Sequence, residues 1–247
     1  MLWPEICPFC GKASRVGTCP ECREKLRKLE IQEPRCMQCG RPVRYAEQEY
    51  CRDCAETRHF YDQGYSLWLH RKPVNQSIYR FKYQNQRRFA AHYTAELTRA
   101  FEGQVRRWRP CLIMPVPLHK KRRRARGYNQ AELIAEGLGR AFEIPVDAAS
   151  LIRKKNTVPQ KELDRQGRMQ NMKNAFMLAD SFLPVRTILL VDDIYTTGST
   201  LDAAAFTLKQ RGVQSLFLND KYWTRVRIFV ILKMMVRRQK IIRGVGC

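Results

Sequence analysis

Four C-x-x-C pairs, 7-CPFC-10, 19-CPEC-22, 36-CMQC-39 and 51-CRDC-54, lie within the first 54 residues of a 247-residue chain. No other feature restricts the fold as much. A segment this short buries too little apolar surface to hold itself together, so it needs cross-links. A thioredoxin-like redox pair requires a surrounding βαβ pattern, which is absent, and disulfides require an oxidising compartment. The first ten residues, broken by Pro4, Cys7, Pro8 and Cys10, do not form the apolar run of a secretory signal. The spacing suits zinc, with Cys7, Cys10, Cys19, Cys22, Cys36, Cys39, Cys51 and Cys54 as ligands. Gly11 and Gly40 stand where a zinc knuckle turns tightly. Four thiolates per ion leave no open coordination position, so the zinc is expected to be structural. Joining neighbouring pairs closes shorter loops than interleaving them, which favours adjacent pairing. The segment 1–58 is expected to be a small appendage folded on its metal.

Charge narrows the partners. The 46 Lys+Arg against 23 Asp+Glu give a net charge of +23. A polyanion is the leading explanation: nucleic acid through counterion release, or an anionic membrane face in peripheral contact. An incidentally basic, solvated surface is the alternative. No window approaches the roughly 20 apolar residues of a membrane span, the nearest being Ile228–Val236 with Lys233 inside it. The expected location is the cytoplasm, with the inner face of the membrane as a further site.

Residues 59–220 read as one α/β domain. Ile78, Phe81, Tyr93, Leu97 and Phe101 fit helical spacing in two helices, with Lys82, Arg87 and Arg88 clustered between them. These aromatics read as core in preference to base-stacking residues. Beyond them come a strand at 111–116, a basic loop, a helix through 130–142 and a short edge at 144–146. A second unit follows: a strand at 186–191, a polar loop, a helix from about Ser199 to Arg211 stopped by Gly212, and a strand at 213–218. Such repeats predict a mostly parallel sheet, with ligands beyond the carboxyl ends of its strands. Residues 221–247, with eight Lys/Arg before the final glycines and no acid, read as an atypical basic tail, amphipathic or mixed.

Both polar loops fall at that end of the sheet. In 191-VDDIYTTGST-200, Asp192 and Asp193 are placed to accept from vicinal hydroxyls or to bind a hydrated magnesium ion. Thr196, Thr197, Gly198, Ser199 and Thr200 lead into a helix N-terminus, where free N–H groups favour a phosphate. A ligand offering both chemistries is a sugar phosphate. Nucleoside triphosphate and dinucleotide fingerprints are missing. The other loop carries His119, Lys120, Lys121, Arg122, Arg123, Arg124 and Arg126, suited to adjacent phosphates or a DNA backbone.

The acid pair followed by T-T-G-S-T resembles the phosphoribosyl pyrophosphate (PRPP) loop of type I phosphoribosyltransferases. Cysteine pairs, then 113-IMPVPLHKKRRRARGYNQAEL-133, then 157-TVPQKELDRQGRMQNMKNAF-176, then that loop, are similar to the ComF family of competence and DNA-uptake proteins. The resemblance implies a phosphoribosyltransferase-like fold, with Asp192 and Asp193 on the ribose hydroxyls and Thr196–Thr200 on the 5′-phosphate. It places 117–126 as the pyrophosphate loop, with Arg126–Gln130 as a family signature. It makes 157–176 a flap bearing Gln160, Arg168 and Asn171, and brings magnesium with PRPP. The implied function is an accessory of DNA uptake that binds single-stranded DNA and PRPP. An active phosphoribosyltransferase in nucleotide salvage or repair is the alternative, and an adaptor docking an uptake motor or helicase is a third. No catalytic residue, general base or base-recognition hood is identified, so transfer chemistry stays undecided.

Overall fold

A computed structural model describes residues 5–15, 17–57, 59–154, 175–215 and 225–233. Its cysteine pairs form two copies of one motif. In each copy the first pair sits on a tight turn: Gly11 N donates to Cys7 O and Gly40 N to Cys36 O, both at 2.9 Å. Gly11 and Gly40 have φ of +81° and +66°, which a side chain would resist. The second pair opens a helix, with Cys19 and Cys51 as N-caps of α1 (Pro20–Arg27) and α2 (Arg52–Glu56).

The chain then enters β1 (Gln63–Leu69), α3 (Val74–Tyr83), α4 (Phe89–Trp108), β2 (Leu112–Pro115), α5 (Lys120–Arg126) and α6 (Gln130–Phe142). An antiparallel pair, β3 (Leu151–Arg153) and β4 (Phe176–Leu178), precedes β5 (Thr187–Tyr195), α7 (Ser199–Ser215) and β6 (Arg225–Lys233). The main sheet is parallel, in the order β1-β6-β5-β2, and Val146 adds a parallel bridge to Ile113 beyond β2. Strand alternation divides its residues between two cores. Ile113, Leu189 and Val191 face the side packed by α4 and α6, whereas Met114, Ile188 and Leu190 face α7 and the β3–β4 pair. On α4 the inward stripe is Phe89, Tyr93, Leu97, Phe101, Val105 and Trp108, at helical spacing. Ile78, Phe81, Tyr93, Leu97 and Phe101 are all buried, as their spacing predicts.

Three expectations change. Gly212 does not stop the last helix, which runs to Ser215, so residues 213–215 are helical and no strand begins there. The strand lies at 225–233, in the stretch read as a tail, between β1 and β5. A central parallel strand is covered on both faces and reads as a continuous apolar run, the pattern of Ile228–Leu232. The basic loop after β2 winds into the helix α5, capped by His119, whose Nδ1 accepts from Lys121 N at 3.4 Å.

The cysteine segment is also less of an appendage than its length suggests. Its middle, Leu29 to Ile31, runs antiparallel along β1, with Ile31 N donating to Leu67 O and Leu69 N to Leu29 O, both at 2.9 Å. That contact covers a sheet edge that would otherwise present unpaired backbone groups. Cys7, Phe9 and Cys22 join the core under α4, and Cys36, Cys39, Cys51 and Cys54 join the core on the opposite face. Phe9 packs edge-on against Trp68 and Tyr93, at 5.6 and 6.2 Å. Ser77 Oγ donates to Pro8 O at 2.6 Å. Gly40 lies so close to β1 that a Cβ there would stand 2.5 Å from Gly64 O.

Candidate functional site

The carboxyl ends of β1, β2 and β5 lie along one edge of the parallel sheet, and the polar segments leave from them. Asp192 and Asp193 belong to the last turn of pleat in β5. Asp193 is buried, and its Oδ2 meets Lys82 Nζ of α3 at 2.8 Å. Asp192 is half-buried, and its Oδ1 accepts from Asp193 N at 2.8 Å. Burial first, and the neighbouring Asp193 charge second, push the Asp192 carboxyl up to about 7, against the pull of Lys82 and Arg153. The pair therefore holds one carboxylate matched by a lysine and a second whose ionisation is opposed by its surroundings.

Beyond Tyr195 the chain turns through exposed Thr196 and Thr197 to Gly198, at φ +80°, and enters α7 at Ser199. Thr197 Oγ1 donates to Ser199 Oγ at 3.1 Å, and Asp202 N closes the first helical turn onto Gly198 O at 2.8 Å. A Cβ on Gly198 would collide with the Tyr195 hydroxyl. That hydroxyl is fixed by a 2.6 Å hydrogen bond to the Tyr61 hydroxyl, in a contact that is wholly buried. Burial pushes both phenols up, so they remain neutral. On the next turn Asp202 holds His59 Nδ1 at 2.5 Å and accepts from Phe60 N at 3.0 Å. Residues 59–61, which lead out of the second cysteine motif, thus clamp the loop and the start of α7.

The basic residues divide by role. Lys120 to Arg124 are exposed on α5, although Arg123 pairs with Glu132 at 3.2 Å. Arg126 is half-buried, donating to Gln130 Oε1 at 2.6 Å and lying 5.1 Å from the Tyr83 ring. The stretch Arg126–Gln130 is a structural corner. Gly127 ends α5, and Asn129 caps α6 through Ala131 N while donating to Val116 O at 3.1 Å. The Tyr128 hydroxyl donates to Phe81 O at the end of α3. Gln160, Arg168 and Asn171 lie outside the described residues.

Both sets of four cysteines are assembled from adjacent pairs. Cys7, Cys10, Cys19 and Cys22 form one, Cys36, Cys39, Cys51 and Cys54 the other, each with all sulfurs within 4.8 Å of one another. Cys10 to Cys19 and Cys39 to Cys51 are both 3.7 Å apart. Tetrahedral zinc with bonds of about 2.3 Å requires sulfurs about 3.8 Å apart, so both sets fit the ion.

Sequence reasoning missed several groups here. Lys82 was legible as part of a basic cluster, but nothing in its spacing shows that it pairs with Asp193. Arg153 lies over Phe176 at 5.5 Å, near Arg122 and Asp192, with burial lowering its guanidinium and its Nε without a partner among the described residues. His59, Tyr61, Tyr195 and Asp202 meet only through the fold.

A double zinc ribbon domain model matches residues 1–55, and a phosphoribosyl transferase domain model matches residues 128–243, a range that includes β6. Competence protein F of Haemophilus influenzae is 35% identical over 208 residues, covering 82% of this chain and 89% of that protein. Competence protein ComFC of Bacillus subtilis is 30% identical over 200 residues, 78% of each chain. DNA utilization protein YhgH of Escherichia coli K12 is 28% identical over 222 residues, 86% of this chain and 94% of that one. Among solved structures, adenine phosphoribosyltransferase from Leishmania donovani aligns with 56% of this chain and 65% of its own, at 15% identity and a TM-score of 0.30. Zinc ribbons, a parallel phosphoribosyltransferase-like sheet and relatives matched over most of their length place the chain in the ComF family of competence and DNA-uptake proteins.

Proposed function

We propose that this protein is an accessory of DNA uptake that binds PRPP at the end of β5 and single-stranded DNA on the adjoining basic surface. The observation that carries the reading is the succession, within nine residues, of an acid pair on a strand end, a turn of small hydroxyl residues and a helix N-terminus. Acids at the strand end suit ribose hydroxyls, and the turn suits a 5′-phosphate held by N–H groups and short side chains. The 2.8 Å contact with Lys82 holds the Asp193 carboxylate in place before a ligand arrives. Lys120, Lys121, Arg122 and Arg124 supply a row of charge for pyrophosphate or for a DNA backbone. The carboxylates are oxygen donors of the kind magnesium takes; with Asp193 already paired to Lys82, Asp192 and the phosphates of PRPP would hold the ion.

Titration with PRPP and with ribose 5-phosphate by calorimetry tests the site. Both should bind, and Asp193→Asn should weaken both, because the damage falls on the ribose they share. A pyrophosphate-release assay across nucleobase acceptors, with and without single-stranded DNA, separates binding from transfer. Release with any acceptor would make the protein a phosphoribosyltransferase in its own right.

A further inference from the structure

A groove of about 1050 Å³ runs between α3, the first zinc ribbon and the strand ends, at the upper end of the roughly 300–1,000 Å³ of small-molecule sites. Lys25, Lys72 and Lys82 line it, and among the described residues no carboxylate does. Lys25 and Lys72 are exposed, with no ion-pair partner among the described residues. Tyr79 and Tyr83 share its wall. They stand one turn apart on α3, 58% and 62% exposed, with ring centroids 4.9 Å apart. The core has no claim on them, since α3 buries Val74, Ser77, Ile78 and Phe81 on its other face.

We infer that this groove is the track for single-stranded nucleic acid, with Tyr79 and Tyr83 as a base-stacking platform and the exposed Lys25 and Lys72 as phosphate contacts. The inference rests on the single-strand reading above and gives it a location. Cations alone would serve any polyanion, but two adjacent exposed rings reward a ligand that carries flat faces beside its charges. In a duplex those faces are stacked inside and do not reach the rings. An acidic peptide offers charge without faces. The Arg126 guanidinium, 5.1 Å from the Tyr83 ring, joins the platform to the exposed basic row of α5, so the track continues past the groove. Lys82 lies on the groove wall and pairs with Asp193, which sets the track beside the acid pair.

The test uses the full, zinc-loaded chain and a fluorescent oligothymidylate, with a hairpin duplex of equal charge as comparison. Tyr79→Ala/Tyr83→Ala should lose about tenfold or more in affinity for the single strand, the order expected from removing aromatic stacking. Its duplex affinity and salt slope should be unchanged, because no charge is removed. Tyr79→Phe/Tyr83→Phe, which keeps the rings, should bind as the wild type does. Both tyrosines are exposed, so unchanged thermal melts are expected for both double variants. If the wild type binds the strand and the alanine pair binds it equally, the platform is refuted while the single-strand reading stands. If the wild type binds no single strand at low salt, that reading fails and the track with it. Displacement of the strand by polyglutamate with undiminished affinity for the alanine pair would assign the groove to an acidic protein and overturn the inference.

Discussion

Asparagine at Asp192 should raise the melting temperature of the ligand-free protein, and asparagine at Asp193 should lower it. The neighbours differ in what surrounds them. Asp192 carries a carboxyl raised from near 3.8 to about 7 by burial and by Asp193. Its ionisation is therefore easier in the unfolded chain, so raising the pH from about 4 to about 7 favours unfolding, and the penalty is complete above that window. A shift of that size corresponds to about 4 kcal/mol near pH 8 and about 1.5 kcal/mol near pH 5. The side chain retains access to water, which halves these figures to about 2 and below 1 kcal/mol. Asparagine removes the penalty and can still accept from Asp193 N. At about 2–4 °C per kcal/mol, Asp192→Asn should melt about 4–8 °C higher near pH 8, with a smaller gain near pH 5. Asp193→Asn does the reverse. It strands Lys82, whose side chain is 15% exposed, beside a neutral amide, at a cost of about 1–3 kcal/mol that relief of Asp192 only partly offsets. Calorimetric melts at the two pH values, with PRPP titrations alongside, measure both effects. A lower melting temperature for Asp192→Asn near pH 8, or a gain that ignores pH, would refute the assignment of a half-buried carboxylate whose ionisation its surroundings oppose.

Other outcomes follow from the same geometry. Elemental analysis should find two zinc ions per chain, and Cys7→Ser should lower the melting of the whole domain, since Cys7 lies in the core under α4. Neutralising Lys120, Lys121 and Arg122 should reduce the salt slope of DNA binding by about three, one per lost phosphate contact. Gly198→Ala should weaken PRPP binding and lower stability together, because it strains a φ of +80° and presses on the fixed Tyr195 hydroxyl. A Gly198→Ala protein that melts and binds PRPP as the wild type does would refute this.

The zinc ligands, the acid pair and the α6 helix were legible because each depends on local spacing. Four cysteines at C-x-x-C intervals need no knowledge of distant contacts, and Gln130–Phe142 carries its own apolar period from its Asn129 cap. The last strand of the sheet was not. Val213–Leu218 and Ile228–Leu232 are both short apolar runs, and only the slot between β1 and β5 selects the second. Gly212 is a weak stop because a glycine inside a helix costs only about 1 kcal/mol, less than packing can supply. The role of Tyr79 and Tyr83 was hidden for the opposite reason. Aromatics at helical spacing usually mark core, and here the same helix buries Phe81 while exposing both tyrosines.

The two ribbons support different parts of the site, and their separate removal should show it. The first contributes Phe9, Cys10 and Cys22 to the groove beside α3, and Arg80 ties it there by donating to Phe9 O at 2.7 Å. The second leads into His59 and Tyr61, which hold Asp202 and Tyr195 beneath the hydroxyl-rich turn. Loss of metal from one ribbon releases the segment it anchors before it disturbs the other, since the two lie in cores on opposite faces of the sheet. Cys10→Ser should therefore weaken single-strand binding more than PRPP binding, and Cys51→Ser should weaken PRPP binding more than single-strand binding. Both measurements belong at a temperature where near-ultraviolet circular dichroism shows each variant folded, because either change also lowers global stability. A parallel loss of both ligands in both variants would mean that the ribbons act only as common ballast for the domain, and that the links from Tyr61 and His59 to the turn carry no specific effect.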